Sequence, residues 1–299
     1  MKRVKVGIIG CGVMGGFHIK QYSNIPEVEI VGASDIDPSR APQGIEFFND
    51  YKDLLEISDA VSITTPTFTH FEVGMAALDA GCHVLIEKPI SVTTDQGKKL
   101  IKKAKAKRKI LAVGHIERFN PAYMALVKEL GRDIPDIIDI KRFSPFPARI
   151  TDVSCVIDMM IHDIDLARHL AGSEVKHVNA VGKKVRTDRL DQALAVLVFK
   201  NGVVANIEAN RVHSEKIRKI VAASGKVVYE ADLLNKSLKR STAGRSKSIS
   251  VDSFDQLNIE LRDFVKAAAK KGKPSVTGED GLSALEIANK IEEAALKTC

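Results

Sequence analysis

Apolar residues follow two rhythms along this 299-residue chain, and the change from one to the other falls near residue 116. Before it, short apolar runs alternate with helix-compatible stretches. Val4 to Ile9 reads as a buried strand and 14–22 as a helix. Further strands are expected at 28–34, 59–65, 83–87 and 110–114, with helices over 51–55, 68–80 and 95–108 between them. Pro66, Gly81 and Pro89 punctuate the series. Short strands alternating with helices build a doubly wound parallel sheet, an α/β domain.

Beyond residue 116 the helices thin out. A strand is expected over 137–143, a loop over 144–154, and a helix over 155–170 closed by Gly172. Strand candidates follow near 175–186, then a pair joined by Asn201-Gly202, then 217–223 and 226–231 meeting at Ser224-Gly225. Both dipeptides tolerate positive φ and so favour hairpins, which predicts an antiparallel sheet. Ala193 to Phe199 is apolar on both alternating faces, so helices should cover one side and another subunit the other. Residues 234–250, rich in Ser, Lys and Arg, read as an exposed excursion. Helices over 255–271 and 279–297 end the chain, separated by Gly272-Lys273-Pro274. The length favours two domains.

Composition narrows the function classes. A hydrophobic fraction of 44% and a charged fraction of 28% are ordinary for a soluble globular protein. The net charge of +7 comes from 45 basic residues interspersed with 38 acidic ones, which argues against a nucleic-acid partner. The densest basic cluster, Lys98 to Lys109, reads as a solvated helix face. Cysteines at 11, 82, 155 and 299 show no paired spacing and are expected to be free thiols of a reducing compartment. No apolar run is long enough for a membrane span, and the one at the amino terminus opens a glycine loop instead of a cleavage site. A cytoplasmic protein is expected.

The candidate chemistry begins in that loop. Gly10-Cys11-Gly12-Val13-Met14-Gly15 joins the first strand to the first helix. Gly10 suits the tight turn, Gly12 lets the backbone approach a pyrophosphate, and Gly15 allows close helix–strand packing. The second strand ends in Asp35, twenty residues past Gly15. A carboxylate there accepts hydrogen bonds from ribose hydroxyls and repels a 2′-phosphate, so NAD is favoured over NADP. Arg40 nearby leaves some room for NADP.

Two further constellations stand out. Glu87-Lys88-Pro89 ends a parallel strand, where open α/β sheets bind ligands. Asp158 and His162 are i,i+4 partners on the helix expected over 155–170, close enough for a carboxylate to orient an imidazole that accepts a proton. Asp165 with His169 is a competing pair at the same spacing, and a helix-surface ion pair is the structural alternative. No metal-ligand set appears, so no metal is expected.

Together these segments resemble the glucose-fructose oxidoreductase, inositol dehydrogenase and MocA-like oxidoreductases. The resemblance covers essentially the whole chain and rests on Gly10-x-Gly12-x-x-Gly15, Thr65-Pro66-x-x-x-His70, Glu87-Lys88-Pro89 and Asp158-x-x-x-His162-x-x-Asp165. Gly114 to Pro121 and Met160 to Asp165 are similar to segments of UDP-N-acetylglucosamine 3-dehydrogenases. Many relatives have glycine where Met160 stands, and the loop at 145–154 lacks a strict match.

The resemblance implies an NAD-binding Rossmann domain over 1–116. It also implies a substrate-binding and oligomerisation domain over 117–275 with an open, mostly antiparallel sheet, and a helix over 276–299 returning to the first domain. Residues 10–15, Asp35, Thr65, Pro66, His70, Glu87 and Lys88 would bind the cofactor. Lys88 would hydrogen-bond the reacting hydroxyl, His162 would take its proton, and Asp158 would position both. A diphosphate-bearing substrate would meet Arg118, Asn120, Arg149 and Arg211. The expected activity is hydride transfer from a sugar hydroxyl, C3 of a UDP-N-acetylhexosamine, to NAD. A free-sugar or inositol dehydrogenase and a non-catalytic NAD-binding regulator are the alternatives. A homodimer or homotetramer through the second sheet is expected.

Overall fold

The structure, a computed structural model, describes residues 3–146, 153–270 and 272–299. Its first elements are β1 (Val4–Ile9), α1 (Val13–Tyr22), β2 (Val28–Ser34), β3 (Phe47–Phe48), α2 (Tyr51–Ile57), β4 (Ala60–Ile63), α3 (His70–Asp79), β5 (His83–Glu87), α4 (Thr94–Lys107) and β6 (Leu111–Gly114). The six strands form one parallel sheet in the order β3-β2-β1-β4-β5-β6. The order reverses direction at β1, between β2 and β4, the switch point at whose C-terminal strand ends open α/β sheets bind ligands. All four residues of β4 and of β6 are buried, as strands covered on both faces must be.

Helix α4 shows how local sequence sets an element. Thr93 and Gln96 form a reciprocal capping box at its start, and Arg108 ends it in the left-handed conformation with φ 55°. Its lysines line an outer face where Lys103 and Lys107 both reach Asp79, at 2.8 and 3.4 Å, and Lys105 reaches Glu279 at 2.7 Å.

The remaining elements are α5 (Pro121–Leu130), β7 (Ile137–Phe143), a π-helical segment (Val156–Met160) running into α6 (Ile161–Ala171), β8 (Val175–Lys183), β9 (Gln192–Phe199), β10 (Val204–Asn210), β11 (Ile217–Ser224), β12 (Val227–Asp232), β13 (Ser237–Thr242), β14 (Arg245–Ile249), α7 (Gln256–Lys270) and α8 (Gly278–Leu296). Strands β7 to β14 form a second sheet in the order β14-β13-β12-β11-β7-β10-β9-β8, antiparallel throughout except for the β7–β10 pair. Both expected hairpins form, with Gly202 at φ 93° and Gly225 at φ 55°. One face of this sheet carries the core: Ile138, Ile140, Leu197, Ile207 and Ile220 pack with residues of α5, α6 and α8.

The chain divides into two compact units, Met1–Ile116 with Asp255–Leu282, and Glu117–Phe254 with Ser283–Cys299. In the first unit α7 packs with the sheet: its Leu257, Leu261 and Phe264 share a core with Val6, Ile8 and Tyr22. The last helix is shared: its first turn returns to the first unit, with Gly278 against Leu111 and Gly281 against Val113, while Ala284, Ile287, Ala288 and Ile291 of α8 join the second unit's core. The excursion expected over 234–250 is different. It is the hairpin β13–β14, mostly polar because it forms the sheet's outer edge, with Leu238 turned into the core.

Candidate functional site

The glycine loop needs its glycines for separate reasons. Gly10 has φ 98°, and a Cβ there would lie 2.8 Å from the backbone at Thr64 and Thr65. Gly15 abuts the Gly10 carbonyl so closely that any side chain collides with it. Thr64 Oγ1 donates to that same carbonyl at 2.6 Å, tying the end of β4 to the loop. Gly12 faces open space, and the start of α1 has neither a side-chain cap nor an acidic residue in its first turn. The result is a helix amino terminus, exposed at Val13, with N–H groups available to an anionic group brought close to the backbone.

Asp35 follows β2 directly and is pinned. Its Oδ2 accepts from Cys11 N at 2.7 Å, and its Oδ1 accepts from Asp37 N at 2.9 Å. Arg40 lies 3.7 Å from the Asp35 carboxylate and 3.3 Å from that of Asp37. Burial and the Asp35 charge push the Cys11 thiol up to about 11, so it stays a neutral lining group. The fit to NAD is good: a glycine cradle for the pyrophosphate and a fixed carboxylate for the ribose. Asp35→Ser should remove the repulsion toward a 2′-phosphate and leave Arg40 to attract it, raising kcat/KM with NADP on the order of tenfold. Steady-state kinetics with the two dinucleotides check this; an unmodified protein already preferring NADP would refute it.

The Glu87-Lys88-Pro89 segment is held from both sides. His18, buried on α1, pairs its Nε2 with Glu87 Oε1 at 3.1 Å. Burial alone would raise the Glu87 carboxyl, but the His18 hydrogen bond, joined by the charge of Lys88, carries it below its ordinary value. Gly114 pairs with Glu87 in the sheet, and a Cβ on it would meet the Glu87 carboxyl at 3.0 Å. On the other side His70 spans two strand ends, with Nδ1 2.8 Å from the Pro89 carbonyl and Nε2 2.9 Å from the Thr65 carbonyl. His70 is thus a strut between the two carbonyls; burial outweighs their pull and pushes its pKa down, and the neutral ring donates to one of them at a time. Thr69 Oγ1 meets Thr65 Oγ1 at 2.7 Å and the Pro66 carbonyl at 2.8 Å, which fixes that turn. Lys88 sits half-buried between these anchors.

In the second unit, Asp158 lies in the π-helical segment and His162 in the first turn of α6. Both are half-buried, while Met160, Ile161, Asp163 and Asp165 are buried. The wider π turn alters the expected i,i+4 register of Asp158 and His162; such insertions recur at functional sites. The neighbouring carboxylates are taken up by arginines. Arg142 makes a forked contact to Asp163 at 2.8 Å and reaches Glu117 at 3.0 Å, and Arg218 also reaches Glu117, at 3.1 Å. His169 meets the Tyr123 hydroxyl at 2.6 Å.

Three expected substrate contacts are engaged elsewhere in the structure. Arg118 is buried in a two-pronged pair with Asp165, at 2.5 and 2.8 Å. Arg211 is fully buried, with its Nε 2.8 Å from Asp191 and its Nη1 2.7 Å from the Val153 carbonyl. A guanidinium so enclosed is not available to a diphosphate. Asn120 caps α5, its Oδ1 accepting from Ala122 N at 3.0 Å and its Nδ2 donating to Glu117 and the Leu233 carbonyl. Arg149 lies outside the described residues.

Residues 4–115 match a family described as an oxidoreductase family with an NAD-binding Rossmann fold, and residues 142–226 match the GFO/IDH/MocA C-terminal domain. The chain belongs to the GFO/IDH/MocA oxidoreductases. It is 34% identical to the UDP-N-acetylglucosamine 3-dehydrogenase of Acidithiobacillus ferrooxidans, over 98% of each chain. A solved structure of that enzyme superimposes with a TM-score of 0.95, covering 100% of this chain and 99% of the other. The scyllo-inositol 2-dehydrogenase (NAD(+)) of Bacillus subtilis is 29% identical over 95% of this chain and 92% of its own. As a GFO/IDH/MocA oxidoreductase the protein is an enzyme, and its cofactor is NAD.

Two residues of this family member escaped the reading of its sequence. His18 gave no signal beyond a histidine on the buried side of α1. Glu260 gave a clear one: it lies on the apolar stripe Leu257, Leu261, Phe264 of α7, where a charge is out of place.

Proposed function

We propose that this protein is an NAD-dependent dehydrogenase that oxidises the C3 hydroxyl of a UDP-N-acetylhexosamine. The observation that carries this reading is the end-to-end likeness to a UDP-N-acetylglucosamine 3-dehydrogenase, at 34% identity against 29% and 27% for inositol dehydrogenases. The side chains supply the chemistry that the oxidation of a secondary alcohol requires. Lys88, a cation held between the His18–Glu87 and His70–Pro89 anchors, hydrogen-bonds the hydroxyl and favours the developing alkoxide. His162 accepts the proton, and Asp158 orients it. Bound NAD supplies the hydride acceptor.

With Arg118 and Arg211 committed to buried ion pairs, Arg149 is the remaining candidate among the expected arginines for the diphosphate. A homo-oligomer through the second sheet fits the face that the helices leave open. Val181 and Leu194 pair across β8 and β9 there at 50% and 37% exposure, beside a depression of about 370 Å³. Among the described residues no helix is long and apolar enough to cross a membrane, which accords with work in the cytoplasm on a soluble sugar nucleotide.

NADH formation measured with UDP-N-acetylglucosamine, UDP-N-acetylgalactosamine, free sugars and inositols tests the substrate. Turnover confined to the UDP-sugars is expected. Exclusive use of inositols would replace this reading with the inositol dehydrogenase one, and NAD binding without turnover of any of them would favour a regulator.

A further inference from the structure

Behind Glu87 lies a buried polar cluster that the proposed chemistry does not use. Helix α7 is fastened along α1: Gln21 Nε2 donates to Asp255 at 3.0 Å, Asn258 Nδ2 to Gln21 Oε1 at 3.1 Å, and Arg262 Nη2 to the Asn24 carbonyl at 3.1 Å. This packing buries Glu260 on the stripe that meets Tyr22, one turn along α1 from His18. The Tyr22 hydroxyl is already engaged with Ser62 Oγ at 2.7 Å. Among the described residues neither oxygen of Glu260 has a hydrogen-bond partner, and neither does His18 Nδ1, although all three atoms are enclosed. Leaving buried polar groups unsatisfied is costly, and interior water commonly bridges such groups.

The two orphans are complementary. His18 uses Nε2 toward the Glu87 carboxylate, and a neutral imidazole that donates from Nε2 must accept at Nδ1. Glu260 faces the charges of Glu87 and Asp263, and its field reaches the Tyr22 hydroxyl; Glu87 and Tyr22 are also the neighbours of His18. Burial first, then those carboxylates, raise its pKa well above the ordinary carboxyl value, so it keeps a proton to donate. We propose that Glu260 is a positioning residue for the Lys88 end of β5: its carboxylic acid donates, through an interior water, to His18 Nδ1 and thereby fixes the tautomer whose Nε2–H holds Glu87. The importance of this for turnover rests on the reading of Lys88 given above. The tautomer itself does not.

The test is nitrogen-15 NMR of histidine-labelled protein with NAD bound, His18 being assigned by its loss in His18→Gln, alongside kinetics of the same proteins. The wild type should show His18 neutral with its proton on Nε2. Glu260→Gln, whose amide still donates, should keep that spectrum and hold kcat within about threefold. Glu260→Met should populate both tautomers and lower kcat on the order of tenfold with KM for NAD little changed, the signature of a displaced reacting group. A wild-type His18 protonated on Nδ1 or charged would overturn the proposal, as would Glu260→Met leaving either tautomer or kcat unaltered. If Glu260→Met fails to fold, the wild-type and Glu260→Gln spectra still decide. Should the tautomer hold while no UDP-sugar is turned over, it is the substrate reading that fails and not this one.

Discussion

Lys88→Met is expected to lower turnover at least about a hundredfold while NAD still binds, the effect of removing a group that acts on the reacting hydroxyl. The structure explains why the loss should be confined to chemistry. Glu87 is fixed by His18, and its carboxyl lies against Gly114. Pro89 is fixed through its carbonyl by His70. The backbone on either side of residue 88 therefore has its own anchors, and the methionine keeps the length and apolar stem of lysine. His162→Ala should show the same pattern, because it deletes the proton acceptor without touching the glycine loop. Turnover assays and NAD titration of both variants check this; wild-type activity in either would remove that residue from the mechanism.

Arg142→Met is expected to cost about 3–5 kcal/mol of stability, because it strands buried carboxylates without their cation. Arg142 is the shared partner of Asp163 and Glu117, all three enclosed in the second unit. The loss is a large share of a typical domain's stability. Its pH dependence has a definite sign. Burial already holds the Asp163 carboxyl above its ordinary value against the pull of Arg142, and loss of Arg142 raises it further. A raised acid contributes fully below the unfolded-state value, near about pH 4, and its contribution is lost as pH rises through the folded-state value. Glu117 acts in the same direction. Burial would raise it, but Arg142 and Arg218 hold it below its ordinary value, an advantage at neutral pH that shrinks in the variant. The deficit of Arg142→Met against wild type should therefore widen from pH 4 to pH 7 in denaturant titrations. A deficit under about 1 kcal/mol at pH 7 would show that the arginine contributes little. Asp163 adjoins His162 at the start of α6, so turnover should fall along with stability.

Much of this was legible in the chain. Gly10, Gly12 and Gly15 stand out because a turn with positive φ, an open approach and a helix–strand contact each exclude side chains. Asn201-Gly202 and Ser224-Gly225 announce hairpins for the same backbone reason. Helix α5 was also readable, from the cap Asn120 followed by Pro121 and apolar residues at 122, 123, 126 and 130, but its motif drew attention as a substrate contact instead.

Other features leave no local trace. The strands of the β13–β14 hairpin are mostly exposed, so they carry no apolar alternation and read as a loop. The parallel β7–β10 pair joins strands that are not neighbours in the chain. The π-helical turn at Val156–Met160 has the hydropathy of an ordinary helix. Arg118 and Arg211 look like surface cations until distant Asp165 and Asp191 are brought against them.

Hydride is expected to leave C3 of a UDP-N-acetylhexosamine for NAD. UDP-N-acetylglucosamine carrying deuterium at C3 tests it, with the recovered dinucleotide weighed by mass spectrometry. One deuterium in the NADH is expected, with a slower turnover than with the unlabelled sugar. Recovery of unlabelled NADH from the C3-deuterated substrate would contradict it.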